Sequence, residues 1–337
     1  MRFPSVDVIP YALPFRQPYV TARGTLTRRE MVLLRIRDED GVEGLGEAVP
    51  LSLRGGTTIE TVVRELGDWG REEAAPLSLP GRCALTTALL DLAERRDGSK
   101  APHAPVQCNA TLVTGAPATV AAEAERWAAD GFETFKLKVG AGDDVAQVEA
   151  VREAIGPEAR IRLDANAAWS LEEATEILRA VEPLDIELVE QPVATIAEAG
   201  ELARRVPIPL AGDESIVTVA DAEESLREEG FGITGIKLSK VGGIEAGREI
   251  AALLRTYVAS ALDGPVGIAI GRRLAAEVDA ARPEGLPPLA HGLATRRLFA
   301  ATIAESECEL EGDLLREAAG PGLGIVIDED SLKHHRL

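Results

Sequence analysis

The sequence predicts an α/β chain built around a (β/α) barrel of the TIM type. Two observations carry this. From about residue 105 onward, apolar strand-like runs alternate with helix-like segments, and successive strands are spaced by roughly 22 to 29 residues, as βα units require. Polar residues also recur at the C-terminal ends of those strands, where a barrel of this kind assembles its site. An open doubly wound sheet is the alternative, but no G-x-G-x-x-G follows the first strand.

The elements fall in order. "EMVLLRIRDEDGVEGLGEAVP" alternates apolar and polar residues like a hairpin with "EDG" at its turn, and "TTIETVVRELGDWG" and "RCALTTALLDLAERRDG" have helical spacing and end at glycine. Residues 1–98 thus read as β then α. The strand candidates after them are 106–113, 134–140, 160–166, 185–191, 208–214, 232–240, 257–263 and 286–294. Between them run helices such as "ATVAAEAERWAADG", "DDVAQVEAVREAIG", "SLEEATEILRAVEP", "VADAEESLREEG" and "IEAGREIAALLRT". The division expected is 1–98, joined by the C-terminal segment 300–337, against a barrel over 99–299.

Composition narrows the function. The chain has 337 residues, is 45% hydrophobic and 27% charged, and has no run approaching twenty apolar residues, so no membrane span is expected. Prolines interrupt "MRFPSVDVIPYALPF" where a signal peptide needs an unbroken apolar helix, so the expected location is cytoplasmic. A formal net charge of -20 opposes nucleic acid, whose phosphates need clustered lysine and arginine. Cys83, Cys108 and Cys308 stand far apart and read as small buried thiols. A homo-oligomer is compatible with the composition but not specified by it.

The polar strand ends are the informative residues. Strand two carries Lys136 and Lys138, strand three Asp164 and Asn166, strand four Glu190, strand five Asp213 and Glu214, and strand six Lys237 and Lys240. Carboxylates on three neighbouring strands converge above a barrel, and such crowding raises their pKa values unless a cation sits among them. An all-oxygen trio suits Mg²⁺ first, with Mn²⁺ as the alternative. The competing readings are a ring of lysine–carboxylate ion pairs and, for Asp213-Glu214-Ser215, the cap of the next helix. Lys136 and Lys138 share one side of their strand by period two, opposite Phe135, Leu137 and Val139. A lysine titrates ordinarily near ~10.4, so making one a base at neutral pH costs roughly 4 kcal/mol of differential interaction, which clustered cations and a metal would provide. The alternative is that both lysines only neutralise the carboxylates.

These pieces together resemble the enolase superfamily in its muconate-cycloisomerase-like subgroup. The matching motifs are "FKLKVG", "RLDANAAW", "VEQPV", "AGDES" and "GIKLSKVGG", with "GLGEAVPL" in the N-terminal part. The intervals are also similar: Asp164 to Glu190 is 26 residues, Glu190 to Asp213 is 23, and Asp213 to Lys237 is 24. The resemblance implies an α+β capping domain over a modified (β/α)7β barrel, with Asp164, Glu190 and Asp213 as Mg²⁺ ligands. It implies Lys138 and Lys237 as acid/base groups on opposite faces of a small-molecule carboxylate substrate, and Lys136 as a helper to Lys138. Asn166, Glu214 and Asp263 would support the site, with lids around 14–26 and 50–58. The implied chemistry removes a proton α to a carboxylate through an enediolate.

The same machinery serves several reactions. "YVASALDGPVG" lacks the histidine of the mandelate-racemase-like subgroup, and "LAHGLATRRLF" lacks the Asp-x-Asp usual in dipeptide epimerases. "SALDGPVGIA" and "GLATRRLFAATI" look more like o-succinylbenzoate synthases, although Asp263 stands where glutamate is more usual. The expectation is therefore that dehydration. A dipeptide epimerase, an N-acylamino-acid racemase, a muconate cycloisomerase and a non-catalytic metal-binding barrel follow as alternatives. His291 reads as a hydrogen-bonded loop residue or a substrate contact, and Arg296 and Arg297 as solvated groups or partners of a distal carboxylate.

Overall fold

The computed structural model describes residues 3–21, 24–50, 56–71, 76–99 and 104–337. It opens with an antiparallel sheet of β1 (Ser5–Thr21), β2 (Gly24–Arg37) and β3 (Glu43–Ala48). The turn between β2 and β3 is held by Asp38, whose carboxylate accepts from the amides of Asp40 and Val42, with Gly41 in the left-handed region at φ +80°. Helices α1 (Ile59–Gly70) and α2 (Leu79–Asp97) start at the caps Thr58 and Ser78 and bury Val62, Leu66, Ala84, Ala88 and Leu92 against Val32, Leu34 and Ile36. The packing is close: a Cβ on Gly46 would lie 1.9 Å from the Ala84 carbonyl oxygen. Of the two expected lid segments, residues 22–23 and 51–55 lie outside the described residues. Residues 14–21 belong to β1, where Phe15 stacks on Tyr19 and on Phe299 at centroid distances of 5.5 and 4.9 Å.

The barrel follows. The segment expected as one strand over 106–113 divides into β4 (Val106–Gln107), which pairs antiparallel with Leu314 and Leu315 of the C-terminal tail, and β5 (Ala110–Leu112), which pairs in parallel with Phe135, Lys136 and Leu137. Strands β6 (Thr134–Lys138), β7 (Arg160–Asp164), β8 (Ile186–Glu190), β9 (Leu210–Gly212), β10 (Ile233–Ile236) and β11 (Arg255–Val258) extend from β5 as a seven-stranded parallel sheet in chain order. Helices α3 (Pro117–Ala129), α4 (Asp144–Ile155), α5 (Leu171–Val181), α6 (Ile196–Ala203) and α7 (Val219–Arg227) link them, and α5, α6 and α7 each begin with a capping box. The strand expected over 232–240 stops at Ile236, and Leu238–Val241 winds into the turn α8 before α9 (Ile244–Ala251).

The eighth strand expected over 286–294 shrinks to two residues. His291 bridges Cys108 and Gly292 bridges Ala259, both in parallel. Four backbone bonds close the barrel there: His291 N to Gln107 O at 2.7 Å, Asn109 N to His291 O at 2.9 Å, Gly292 N to Val258 O at 2.8 Å and Ser260 N to Gly292 O at 2.9 Å. Pro287 and Pro288 lack the amide hydrogens a longer ladder would use. His291 is fully buried, and its Nδ1 accepts from the Val258 amide at 3.0 Å while Nε2 lies 3.3 Å from Asp279 Oδ2. It is a wall residue of the closure, not a group at the mouth.

The last helix of the barrel, α10 (Pro265–Ala281), and the tail complete the chain. The tail comprises β12 (Ala304–Ser306), β13 (Glu309–Glu311), β14 (Leu314–Arg316), β15 (Val326–Ile327) and α11 (Glu329–His335). Its contacts divide: β14 pairs with β4, whereas Arg336 bridges Tyr11 and Glu329 pairs with Arg35 at 2.5 Å. Cys83, Cys108 and Cys308 are buried, as expected, and burial pushes the Cys83 thiol up to about 12. Among the described residues no helix is long and apolar enough to cross a membrane.

One carboxylate joins the N-terminal sheet to the barrel. Glu47 of β3 accepts from the Gly264 amide at 2.6 Å, the Gly267 amide at 3.3 Å and the Tyr11 hydroxyl at 2.9 Å, so it caps α10 from a distant part of the chain. Burial, and then the nearby Asp263, push Glu47 up to about 8. Between about pH 4.5 and 8 the folded protein therefore holds a proton that the unfolded chain has released, and stability falls as pH rises through that window. Glu47→Gln is expected to flatten this slope, so that its stability relative to the native chain is higher at pH 8.5 than at pH 5. Urea unfolding at the two pH values measures it, and parallel profiles for the two proteins would contradict it.

Candidate active site

Parallel register builds the site. Across β6, β7 and β8 the pairs Lys138 with Asp164 and Asp164 with Glu190 form one row, and Glu190 faces Ala211 of β9, two residues before Asp213. Side-chain alternation does the rest. Phe135, Leu137 and Val139 join the core under the helices, while Lys136 and Lys138 reach the carboxylates of the next two strands.

The chain takes left-handed turns directly after the strands that carry Asp164 and Glu190. Asn166, Ala167 and Gln191 have positive φ values of 48°, 59° and 41°, which non-glycine residues adopt only where surrounding contacts hold them. Asn166 accepts from Lys138 Nζ at 2.8 Å and donates to Glu214 Oε1 at 3.2 Å. Gln191 accepts from the amides of Asp213 at 2.9 Å and Ser215 at 3.2 Å, and donates to Val193 O and Ser215 Oγ. Gln191 is thus the residue that sets the backbone bearing Asp213.

The charged groups form a continuous network. Lys138 Nζ lies 2.6 Å from Asp164 Oδ2, and Lys136 Nζ lies 2.8 Å from the same atom and 2.5 Å from Glu190 Oε2. Lys237 pairs with Asp213 and stands 3.9 Å from Glu190 Oε1. Lys240 Nζ meets Asp213 Oδ1 at 2.9 Å, a contact made possible by the α8 turn that replaces the expected strand end. Tyr257 of β11 donates to Glu190 Oε2. The structure brings Lys136, Lys138, Lys237, Asp164, Glu190, Asp213, Asn166 and Glu214 together. Asp263 is not part of the network: it ties its own loop through Ser260 Oγ and the Ala261 amide, both at 2.7 Å. Arg296 pairs with Glu307 at 2.9 Å, and Arg297 pairs with Asp130 and lies 4.3 Å over the Trp127 ring.

Electrostatics here run opposite to the expected lowering of the lysines. Burial pulls Lys138 down, but Asp164 beside it more than compensates, and the net direction is upward. Lys136 is raised as well, burial again being outweighed by Asp164 and Glu190. Asp164 is held well below the usual carboxylate range because Lys136, Lys138 and Lys237 overcome its burial. Among the described residues no three acidic, histidine or cysteine groups converge on one point, since the ammonium groups lie between the carboxylates. The donor set is nevertheless all oxygen, and Glu190 Oε1 is a buried acceptor without a hydrogen-bond partner. A hard divalent ion fits that chemistry.

Sequence reasoning missed Tyr257, Gln191 and Glu47. Period two gave a signal for Tyr257, which shares a barrel-facing apolar layer with Ala259, Leu188, Ala211 and Ile233. Gln191 and Glu47 sat inside recognised motifs, but the contacts that give them work span loops or domains.

Fold and site together define a barrel enzyme whose lysines and carboxylates meet at the strand ends. The model described as "Enolase C-terminal domain-like" matches residues 119–331, and "Mandelate racemase / muconate lactonizing enzyme, N-terminal domain" matches residues 5–68. The chain belongs to the enolase superfamily. It is 39% identical to the o-succinylbenzoate synthase of Thermobifida fusca over 60% of its own length, and that match spans 64% of the relative. It is 27% identical to the L-Ala-D/L-Glu epimerase of Bacillus subtilis, with 97% of each chain covered. The muconate lactonizing enzyme of Pseudomonas fluorescens, solved with muconolactone, superposes with a TM-score of 0.89 at 26% identity over 100% of this chain and 99% of that one.

Gln191→Leu removes the one oxygen that accepts from both the Asp213 and Ser215 amides and is expected to cost roughly 1–3 kcal/mol. Chemical unfolding measures this, and a variant as stable as the native chain would show that the Asp213 loop holds itself.

Proposed function

We propose that this chain is a Mg²⁺-dependent, cytoplasmic enzyme that removes a proton α to the carboxylate of a small molecule. We assign it the o-succinylbenzoate synthase dehydration of menaquinone biosynthesis. The observation that carries the reaction class is the arrangement of buried lysines from β6 and from the end of β10 on either side of carboxylates from β7, β8 and the β9 loop.

Asp164, Glu190 and Asp213 would hold the cation, Mg²⁺ or Mn²⁺, which supplies positive charge opposite the oxygens of the substrate carboxylate. The residues do the rest. Lys138 is the base. The ion pair with Asp164 favours the protonated amine and burial opposes it, so a cation held by Asp164 would weaken the pairing and shift the balance toward the neutral amine. Asn166 orients the Lys138 amine through its 2.8 Å contact. Lys237, on the other side, steadies the developing negative charge, and the β hydroxyl leaves as water with the proton that Lys138 has taken. Lys136 attracts the carboxylate.

The dehydration is favoured by the 39% identity to the Thermobifida fusca protein and by the "SALDGPVGIA" and "GLATRRLFAATI" segments. A dipeptide epimerase is the second reading, favoured by the 97% coverage shared with the Bacillus subtilis epimerase. The lack of Asp-x-Asp in "LAHGLATRRLF" counts against it.

With Mg²⁺, the purified chain is expected to convert the hydroxylated succinyl-cyclohexadiene carboxylate to o-succinylbenzoate, followed by absorbance, and chelation should abolish turnover. Absence of turnover together with epimerisation of a dipeptide panel would replace the dehydration by the second reading. Lys138→Ala is expected to lower α-proton exchange in deuterated water by about 10²–10⁴-fold while Mg²⁺ binding persists. Exchange at the native rate would remove Lys138 from the chemistry.

A further inference from the structure

Tyr257 lies in β11 with 1% of its surface exposed, and its phenol crosses the barrel interior to Glu190. The passage is built for it. On one side is Gly235, its register partner in β10, where a Cβ would stand 2.8 Å from the phenol oxygen and 2.9 Å from Cζ. On the other side Arg162 is fully buried, with Cζ 5.1 Å from the ring centroid and Nη1 bonded to Ala290 O at 2.5 Å. A phenylalanine would fill the same space without burying a hydroxyl, which is costly unless bonded. The bond it makes is to a carboxylate of the site.

That bond divides the labour of the two Glu190 oxygens. Oε2 takes two donors, Lys136 Nζ at 2.5 Å and the Tyr257 hydroxyl. Oε1 takes no hydrogen bond, and Lys237 Nζ stands 3.9 Å from it. We propose that Tyr257 is a positioning residue that fixes Glu190 so that it offers one oxygen, Oε1, to a divalent cation, and that it thereby sets both cation affinity and the preference for a small ion over a large one. The inference rests on the cation reading of the site given above. Mg²⁺ takes six ligands in a tight octahedron, whereas Ca²⁺ accepts both oxygens of a carboxylate in larger, looser shells. Releasing Oε2 from one of its two donors lets Glu190 turn toward the second arrangement.

The test is calorimetric titration of Mg²⁺ and, separately, Ca²⁺ into metal-stripped native protein and Tyr257→Phe, with thermal unfolding of both metal-free proteins. Tyr257→Phe is expected to bind Mg²⁺ about 10-fold or more weakly, with its affinity ratio shifted toward Ca²⁺ and its metal-free midpoint unchanged. Gly235→Ala, which displaces the ring without removing the hydroxyl, is expected to shift the ratio the same way and serves if the first variant fails to fold. Unaltered Mg²⁺ affinity and ratio in the variants overturn the inference, as does loss of both ions in equal proportion. A native protein that binds neither ion overturns the cation reading itself.

Discussion

Everything at the strand ends of this barrel depends on compensating three buried carboxylates with the ammonium groups that lie between them. Asp164, Glu190 and Asp213 are each at most 1% exposed, and like charges so placed would protonate or separate without compensating cations. The sequence answers with lysines on the flanking strands, Lys136 and Lys138 before the trio and Lys237 and Lys240 after it. Each carboxylate is bound by at least one ammonium group. This is a demanding solution, because breaking one partner leaves an uncompensated charge in the core. It is also a responsive one, because whatever claims a carboxylate changes the proton affinity of the lysine beside it.

The fold supplies the register and the turns that this network needs. Parallel pairing sets Lys138, Asp164 and Glu190 in a row, and the left-handed residues Asn166, Ala167 and Gln191 turn the chain away immediately beyond it. Left-handed conformations at asparagine, alanine and glutamine hold only when the neighbourhood enforces them. Here the enforcement is visible in the bonds of Asn166 to Lys138 and Glu214 and of Gln191 to the Asp213 and Ser215 amides.

Local patterns were legible in the sequence and distant ones were not. The lysine pair of "TFKLKVG" could be placed by period two alone, and the carboxylates by their position at strand ends. Strand limits failed where the chain departs from simple alternation. Pro287 and Pro288 cut the eighth strand to His291 and Gly292, and Lys237 ends β10 so that Lys240 can return to Asp213. Tyr257 looked like one more apolar residue of a buried strand, because only the opposing Gly235 and the carboxylate across the barrel give its hydroxyl a purpose. Glu47 was hidden for a similar reason, since its partners at Gly264 and Gly267 lie more than two hundred positions away. Asp263 shows the converse: its place in a familiar motif suggested a site contact, yet its bonds stay within its own loop.

The N-terminal sheet and helices are joined to the barrel at loops beside the lysine–carboxylate network. Through Glu47 the sheet caps α10, directly after the loop closed by Asp263 and Ser260. Through Arg82, whose guanidinium bonds Gly242 O at 3.3 Å, helix α2 packs on the turn that carries Lys240 back to Asp213. Gly242 and Gly243 are required by their positive φ of 92° and 122°, and without side chains they leave room for Arg82 and Thr86 of α2 against this turn. The capping part of the chain therefore bears on the positions of Lys237 and Lys240, and a change in its packing is felt at the carboxylate those lysines share.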